Sequence, residues 1–207
     1  MEQTLGREKA KRNIVIFVIG VFITFIGSLL SGLSDVIGVS WLEFFGFLAL
    51  VGGVFEIIAI ILLRNVNKKY ANALWALILY LLLGLTSFIL ILIAGFGEDP
   101  NRFDIVTTWL DVAGDFAEAL IVVNFVLGTN KLAEENNKGM PLLTKGVVYG
   151  YMGIFLIAVV FNILSLIPAI RENAVVLLVF SIIVFILYII RSISYIFFLI
   201  KSLWRVE

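Results

Sequence analysis

The chain has 207 residues and a formal net charge of zero; 62% of the residues are hydrophobic, 14% are charged, and the mean hydropathy is +1.12. Soluble globular domains contain roughly 45–50% apolar residues, so most of this chain is expected to lie in a lipid bilayer. Cysteine and histidine are absent, which excludes disulfides, thiolate nucleophiles, imidazole bases and zinc sites built on these residues.

Six hydrophobic segments of about 20 residues or more have the length that a ~30 Å hydrocarbon layer requires. They cover residues 14–33, 41–63, 73–94, 105–127, 147–167 and 174–203. The uncharged core of the first segment is too long for a signal peptide, so we expect it to remain as a helix. The sequence therefore predicts an all-α polytopic integral membrane protein with six transmembrane helices arranged as three helical hairpins. We expect the transmembrane domain to cover 14–203, between a basic N-terminal segment, 1–13, and a short tail, 204–207.

Basic residues indicate the orientation, because they are retained on the cytoplasmic side of a membrane. With the N-terminus inside, twelve of the fifteen Lys and Arg residues fall in the cytoplasm. We therefore expect both termini to be cytoplasmic and the membrane to be the plasma membrane. Acidic residues collect on or near the opposite loops, which predicts a negative outer surface: Asp35, Glu43, Glu98, Asp99, Asp104 and Glu172.

Two further patterns concern packing and partners. Ala49 with Gly53, and Gly146 with Gly150, are small residues four positions apart, with Gly52 and Gly153 beside them, which predicts close approach of helix backbones. The double glycine is not expected to break the second helix, because that span contains no proline. The longest cytoplasmic loop, 128–146, is expected to be either solvated or a docking surface for a soluble partner such as an energising subunit.

An acidic stripe lies within the fourth segment. Asp111, Asp115 and Glu118 stand at i, i+4 and i+7, so on a helix they fall within roughly 60° of one another. A charge near the bilayer centre costs from ~2.5 to over 10 kcal/mol, so this stripe is expected to face protein or water. Asp115 lies about 15 Å from the outer end of the segment, close to the midplane.

Two more charged residues lie at similar depth in other segments. Glu56 is in the second and Arg191 in the sixth, and Arg191 is a candidate partner for either Glu56 or Glu118. One arginine among four acids leaves negative charge that protons or a bound cation would neutralise. The predicted substrate or cation site therefore comprises Asp111, Asp115, Glu118, Glu56 and Arg191. The alternative is structural, in which the same groups only hold helices together.

Three functions remain open at this point. The first is a transporter, or the membrane-embedded substrate-binding subunit of one. It would handle a cation, a proton-coupled solute or a positively charged small molecule. In length and helix number the chain resembles the substrate-capturing components of vitamin importers. The second is a non-catalytic accessory or protective protein that assembles with another complex. We expect no cofactor, no nucleic-acid partner and no enzymatic activity.

A resemblance supports a third, enzymatic alternative. The pattern Asp111-x3-Asp115 resembles the closing half of the signature of CDP-alcohol phosphatidyltransferases, which would imply a metal-dependent enzyme of lipid metabolism in which these aspartates hold the metal. The opening half of that signature is absent, because Thr107-Thr108-Trp109-Leu110 precede Asp111.

Overall fold

The computed structural model describes residues 2–37, 44–95, 103–165, 167 and 174–206. These residues form six α-helices and no strand, which confirms the predicted fold class. Five of these helices, all except α4, are long and apolar enough to cross a membrane, so the sixth predicted transmembrane helix stays a prediction. The helices are α1 Glu2–Ile37, α2 Gly46–Leu63, α3 Lys68–Gly95, α4 Asp104–Glu134, α5 Pro141–Ser165 and α6 Ala174–Arg205.

Large apolar side chains point outward along the helices. Leu50 on α2 and Trp75 on α3 are each 71% exposed, and Leu178 on α6 is 60% exposed. A soluble protein rarely exposes contiguous apolar patches larger than a few hundred Å². Surface of this kind is stable when acyl chains surround it. The predicted acidic outer surface, by contrast, stays a prediction, because Glu43, Glu98, Asp99 and Glu172 lie outside the described residues.

The chain divides into two compact units. Unit 1 contains residues 1–71, 127–141 and 195–207, and unit 2 contains 72–126 and 142–194. In unit 1, α1 packs against α2, and Phe17 and Ile60 are fully buried. In unit 2, Phe125 and Val126 of α4 are fully buried.

The α1–α2 contact is close because both helices present residues with little or no side chain. A Cβ placed on Gly27 would lie 2.5 Å from the backbone nitrogen of Ala49, and one on Gly52 would lie 2.6 Å from the carbonyl oxygen of Gly20. A Cβ on Gly53 would meet no described atom within 4 Å. The prediction of a small-residue contact on α2 is therefore right for Ala49, but Gly52 replaces Gly53 as its second member, because only Gly52 faces α1.

The same comparison corrects the prediction for α5. An added Cβ on Gly146, Gly150 or Gly153 would meet no described atom within 4 Å, so the predicted close approach of backbones there is wrong. Spacing along a helix shows which residues share a face, but not which face meets a neighbour. The double glycine leaves α2 continuous, as predicted.

The predicted loop 128–146 is mostly helix. α4 continues to Glu134 and α5 begins at Pro141, which suits the first position of a helix because its missing N–H would have no partner there. α4 ends in a Schellman motif, in which Asn137 adopts a φ of 56° and the Lys138 N–H donates to the Ala133 carbonyl at 2.9 Å. Asn130 of α4 accepts a 2.6 Å hydrogen bond from the Met140 N–H.

A similar hydrogen bond fixes the start of α3 within unit 1. Asn67 caps α3, because its side-chain oxygen accepts from the Tyr70 N–H at 3.2 Å. Its amide nitrogen donates to the carbonyl of Gly128 at 3.1 Å. The expectation of a solvated loop is thus wrong for residues 128–130, which are buried, whereas Lys131 and Glu134 are exposed, as that expectation implies. Docking of a soluble partner here stays a prediction.

Candidate functional site

The acidic stripe lies on the face of α4 that turns inward further along the helix. Val122 is four residues after Glu118, Phe125 is seven residues after it, and both are buried. Trp109, on the other side of the helix, is 49% exposed. Asp111 is exposed and Asp115 and Glu118 are half-buried, so α4 changes from open and acidic to closed and apolar along one face.

The open part of this face borders a groove in unit 2. The groove has a volume of about 240 Å³, and residues of α3 and α4 line it. From α4 it receives Leu110, Asp111, Gly114, Asp115 and Glu118, and from α3 Tyr80, Leu83, Gly84 and Ser87. The predicted acids therefore border the groove, which the hydroxyl-bearing side chains of Ser87 and Tyr80 on α3 also line.

Glycines on both helices leave this space open. A Cβ added to Gly84 of α3 or to Gly114 of α4 would meet no described atom within 4 Å. Neither glycine is therefore required by a close helix contact of the kind found between α1 and α2. Their lack of a side chain widens the groove instead.

Arg191 of α6 pairs with Glu118, the last member of the stripe along α4. Its Nη2 donates to Oε1 of Glu118 at 3.0 Å. Of the two predicted partners of Arg191, Glu118 is therefore the one that pairs with it. The guanidinium lies between two aromatic rings, 4.4 Å from the centroid of Tyr151 and 4.3 Å from that of Tyr188. The Arg191 side chain is only 10% exposed, whereas that of Glu118 is 37% exposed.

The rings of this arrangement were not part of the predicted site. Tyr188 stands three residues before Arg191 on the same helix face, a spacing that could have identified it. Tyr151 comes from α5, and no pattern in the sequence shows that α5 places a ring beside α6. Tyr80 and Gly84 of α3 were missed for the same reason.

Glu56 belongs to unit 1. The Thr24 hydroxyl of α1 donates a 2.7 Å hydrogen bond to its Oε1. This bond lies beside the close α1–α2 contact, where a Cβ on Gly20 would fall 2.9 Å from Cγ of Glu56. The structure thus groups Asp111, Asp115, Glu118 and Arg191 in unit 2, and places Glu56 between α1 and α2 of unit 1.

Two other polar groups within the helices, on Thr86 and Asn124, bond as single side chains in membranes commonly do. The Thr86 hydroxyl donates to the Leu82 carbonyl, and the Asn124 amide to the Leu120 carbonyl, each at 2.8 Å and within its own helix.

No three acidic side chains among the described residues are grouped in a way that could hold a metal ion.

Fold and site together define an all-α polytopic integral membrane protein with an acidic groove in its second unit. No family model, no curated protein and no solved structure matches the chain.

Proposed function

We propose that the protein binds a small cation in the groove and carries it across the plasma membrane, as a transporter or as the membrane-embedded substrate-binding subunit of one. The observation that carries this proposal is that the acidic stripe borders a space of about 240 Å³. Glu118 pairs with Arg191, while Asp111 and Asp115 form no ion pair with any described residue. Acids that served only to join helices would contact a partner side chain.

The charge of the site suits a cation. Three carboxylates and one guanidinium leave a formal charge of −2 when all are ionised. A unit charge 4 Å from a carboxylate gains about 4 kcal/mol at an effective dielectric constant of ~20. The cost of dehydrating the cation and the carboxylate offsets part of that attraction, and contact with both aspartates would strengthen it.

The same carboxylates offer a route to proton coupling. A proton on Asp115 cancels the charge that attracts a cation, so protonation and cation binding exclude each other at that group. Mutually exclusive binding at one site is the condition for exchanging one ion for the other. Acidification should therefore weaken cation binding.

The proposed orientation has both termini in the cytoplasm. It is supported by the excess of Lys and Arg on the predicted inner side, where twelve of the fifteen fall. In this orientation the Asp111 end of the groove is nearer the outer surface and the Glu118 end is deeper.

Asp115→Asn tests the proposed function, because the amide keeps the size and hydrogen-bonding capacity of the side chain but cannot carry charge. We expect uptake of radiolabelled methylammonium, guanidinium or rubidium into proteoliposomes to fall at least about tenfold, since about 1.4 kcal/mol of lost binding is a tenfold change. The melting temperature in detergent should not fall.

Asn124→Ala is the matched control, because Asn124 bonds within its own helix and does not line the groove. It should leave uptake unchanged. If Asp115→Asn retained uptake and melted at an equal or higher temperature, the acids would be structural groups whose desolvation is costly, and the proposal would be wrong.

A further inference from the structure

We propose that Tyr151, Tyr188 and Glu118 form a guanidinium-binding cage in which Arg191 is a tethered, exchangeable occupant. The inference rests on the proposed function and names its substrate class: a small compound with a guanidinium or amidinium group, which competes with Arg191 for Glu118. The cage lies entirely in unit 2.

The geometry around Arg191 is that of a recognition site for a flat cation. Its guanidinium carbon lies 4.4 Å from one ring centroid and 4.3 Å from the other, within the ~6 Å at which a cation is attracted to an aromatic face. A planar guanidinium stacks on such rings better than a compact ammonium does. The carboxylate of Glu118 supplies the opposite charge at 3.0 Å.

Arg191 fills this cage incompletely. A guanidinium carries several N–H donors and usually meets a carboxylate with two parallel hydrogen bonds. Here Nη2 donates to Glu118, whereas Nε is buried and has no hydrogen-bond partner among the described residues. With one hydrogen bond to Glu118 and a buried donor left unsatisfied, Arg191 is an imperfect occupant, which a free guanidinium that makes two hydrogen bonds to Glu118 would displace.

Glu118 connects the cage to the groove. Its side chain is 37% exposed and lines the groove, while Arg191, its partner, is 10% exposed. A cation in the groove therefore reaches the carboxylate that Arg191 uses. The volume of about 240 Å³ is below the ~300 Å³ of typical drug-sized pockets, which suits a small organic cation.

The test titrates guanidinium chloride at millimolar concentrations, with sodium chloride keeping the ionic strength constant, and follows the melting temperature of the purified protein in detergent. Removing the tethered occupant with Arg191→Ala should leave a cage that free guanidinium refills. We expect the half-saturating concentration to be at least about tenfold lower in Arg191→Ala than in the wild type, because a tethered competitor acts at a high effective concentration.

Three comparisons make the result specific. The response should be lost in the double variant Arg191→Ala/Glu118→Gln, and ammonium, which has the same charge but is compact and strongly hydrated, should not reproduce it. Arg64→Ala removes an exposed arginine of unit 1 and should behave as the wild type does. Arg191→Met, which keeps the apolar bulk of the side chain, repeats the titration if Arg191→Ala does not fold.

Equal half-saturating concentrations in the wild type and Arg191→Ala would overturn the cage, as would equal stabilisation by ammonium. This titration measures binding and needs no transport. If the titration contradicted the cage but uptake remained and depended on Asp115, the proposed function would stand. If the titration supported the cage but no uptake were found, transport would be excluded and the binding site would remain.

Discussion

At the scale of single residues, the contact between α1 and α2 depends on glycines, which have no side chain to hold the two backbones apart. Gly20 and Gly27 of α1 approach Gly52 and Ala49 of α2 so closely that an added Cβ would fall 2.5–2.8 Å from backbone atoms of the other helix. Backbone atoms cannot move aside as the end of a flexible side chain can. This contact also holds the Thr24 hydroxyl against Glu56.

We predict that Gly52→Ala destabilises unit 1 and that Gly53→Ala does not. A Cβ at Gly52 would lie 2.5 Å from the backbone nitrogen of Thr24, so α1 and α2 would have to separate, and overpacking of this kind typically costs about 1–3 kcal/mol. Alanine at Gly53 meets open space and is the better helix former by about 0.8–1 kcal/mol. Reversible unfolding in mixed detergent and SDS micelles measures both variants.

Adjacent glycines make this comparison closely matched. Both changes add one methyl group to the same turn of α2, so differences in expression or detergent binding should cancel. Equal destabilisation of the two variants would show that helix flexibility, rather than contact with α1, explains the double glycine.

The sequence predicted some of these residues and could not predict others. Helical periodicity is enough to place Asp111, Asp115 and Glu118 on one face, because it depends only on spacing along the chain. The choice of Gly52 over Gly53, and of Glu118 over Glu56 as the partner of Arg191, depends on how helices distant in sequence pack. Tyr151 contacts Arg191 across 40 positions of the chain, for which the sequence contains no local signal.

At the scale of elements, the groove exists because α3 and α4 each place a glycine along it. Gly84 and Gly114 line the groove, and an added Cβ at either would meet no described atom. A Cβ can therefore be added there without displacing backbone, and the rest of a larger side chain would extend into the groove. This allows the groove to be filled while every carboxylate stays in place.

We predict that Gly114→Leu abolishes cation binding without loss of stability. Leucine is the better helix former by roughly 0.8 kcal/mol, and its side chain would occupy the space between Asp111 and Asp115. The expected result is loss of radiolabelled guanidinium and methylammonium uptake with an equal or higher melting temperature. Gly150→Leu on α5 is the control, because Gly150 is equally open but does not line the groove.

Unchanged uptake in Gly114→Leu would place the cation path elsewhere, whatever the result for Asp115→Asn. The two variants test different properties of one site, since one removes charge and the other removes space. A structural role for the acids predicts that Gly114→Leu transports as the wild type does.

Helix number and type were predictable at this scale, but helix ends were not. The interior of each span follows from apolar composition, and α6 ends within two residues of its predicted limit, at Arg205. α4 instead continues to Glu134, because Lys131, Leu132 and Ala133 favour a helix in water as well as in lipid. Hydropathy marks where the membrane should end, which is not where such a helix ends.

At the scale of the whole molecule, a net charge of zero conceals a strong asymmetry along the chain. Lys and Arg gather in the segments predicted to be cytoplasmic, whereas six acids and only two basic residues, Arg102 and Arg171, lie on or near the segments predicted to be outside. The proposed function depends on this orientation, because it places the Asp111 end of the groove toward the outer solution. The absence of native cysteine makes the orientation directly measurable by labelling.

We predict that a cysteine at Lys138 is labelled by a membrane-impermeant thiol reagent only after cells are opened. Lys138 is exposed in the turn between α4 and α5 and takes a substitution more readily than Asn137, whose φ of 56° disfavours most side chains. Asn101→Cys, in a segment predicted to be outside, is the control and should be labelled in intact cells. Labelling of the Lys138→Cys variant in intact cells would show that the topology is the reverse of the predicted one. The direction from which a cation enters the groove would then be reversed as well.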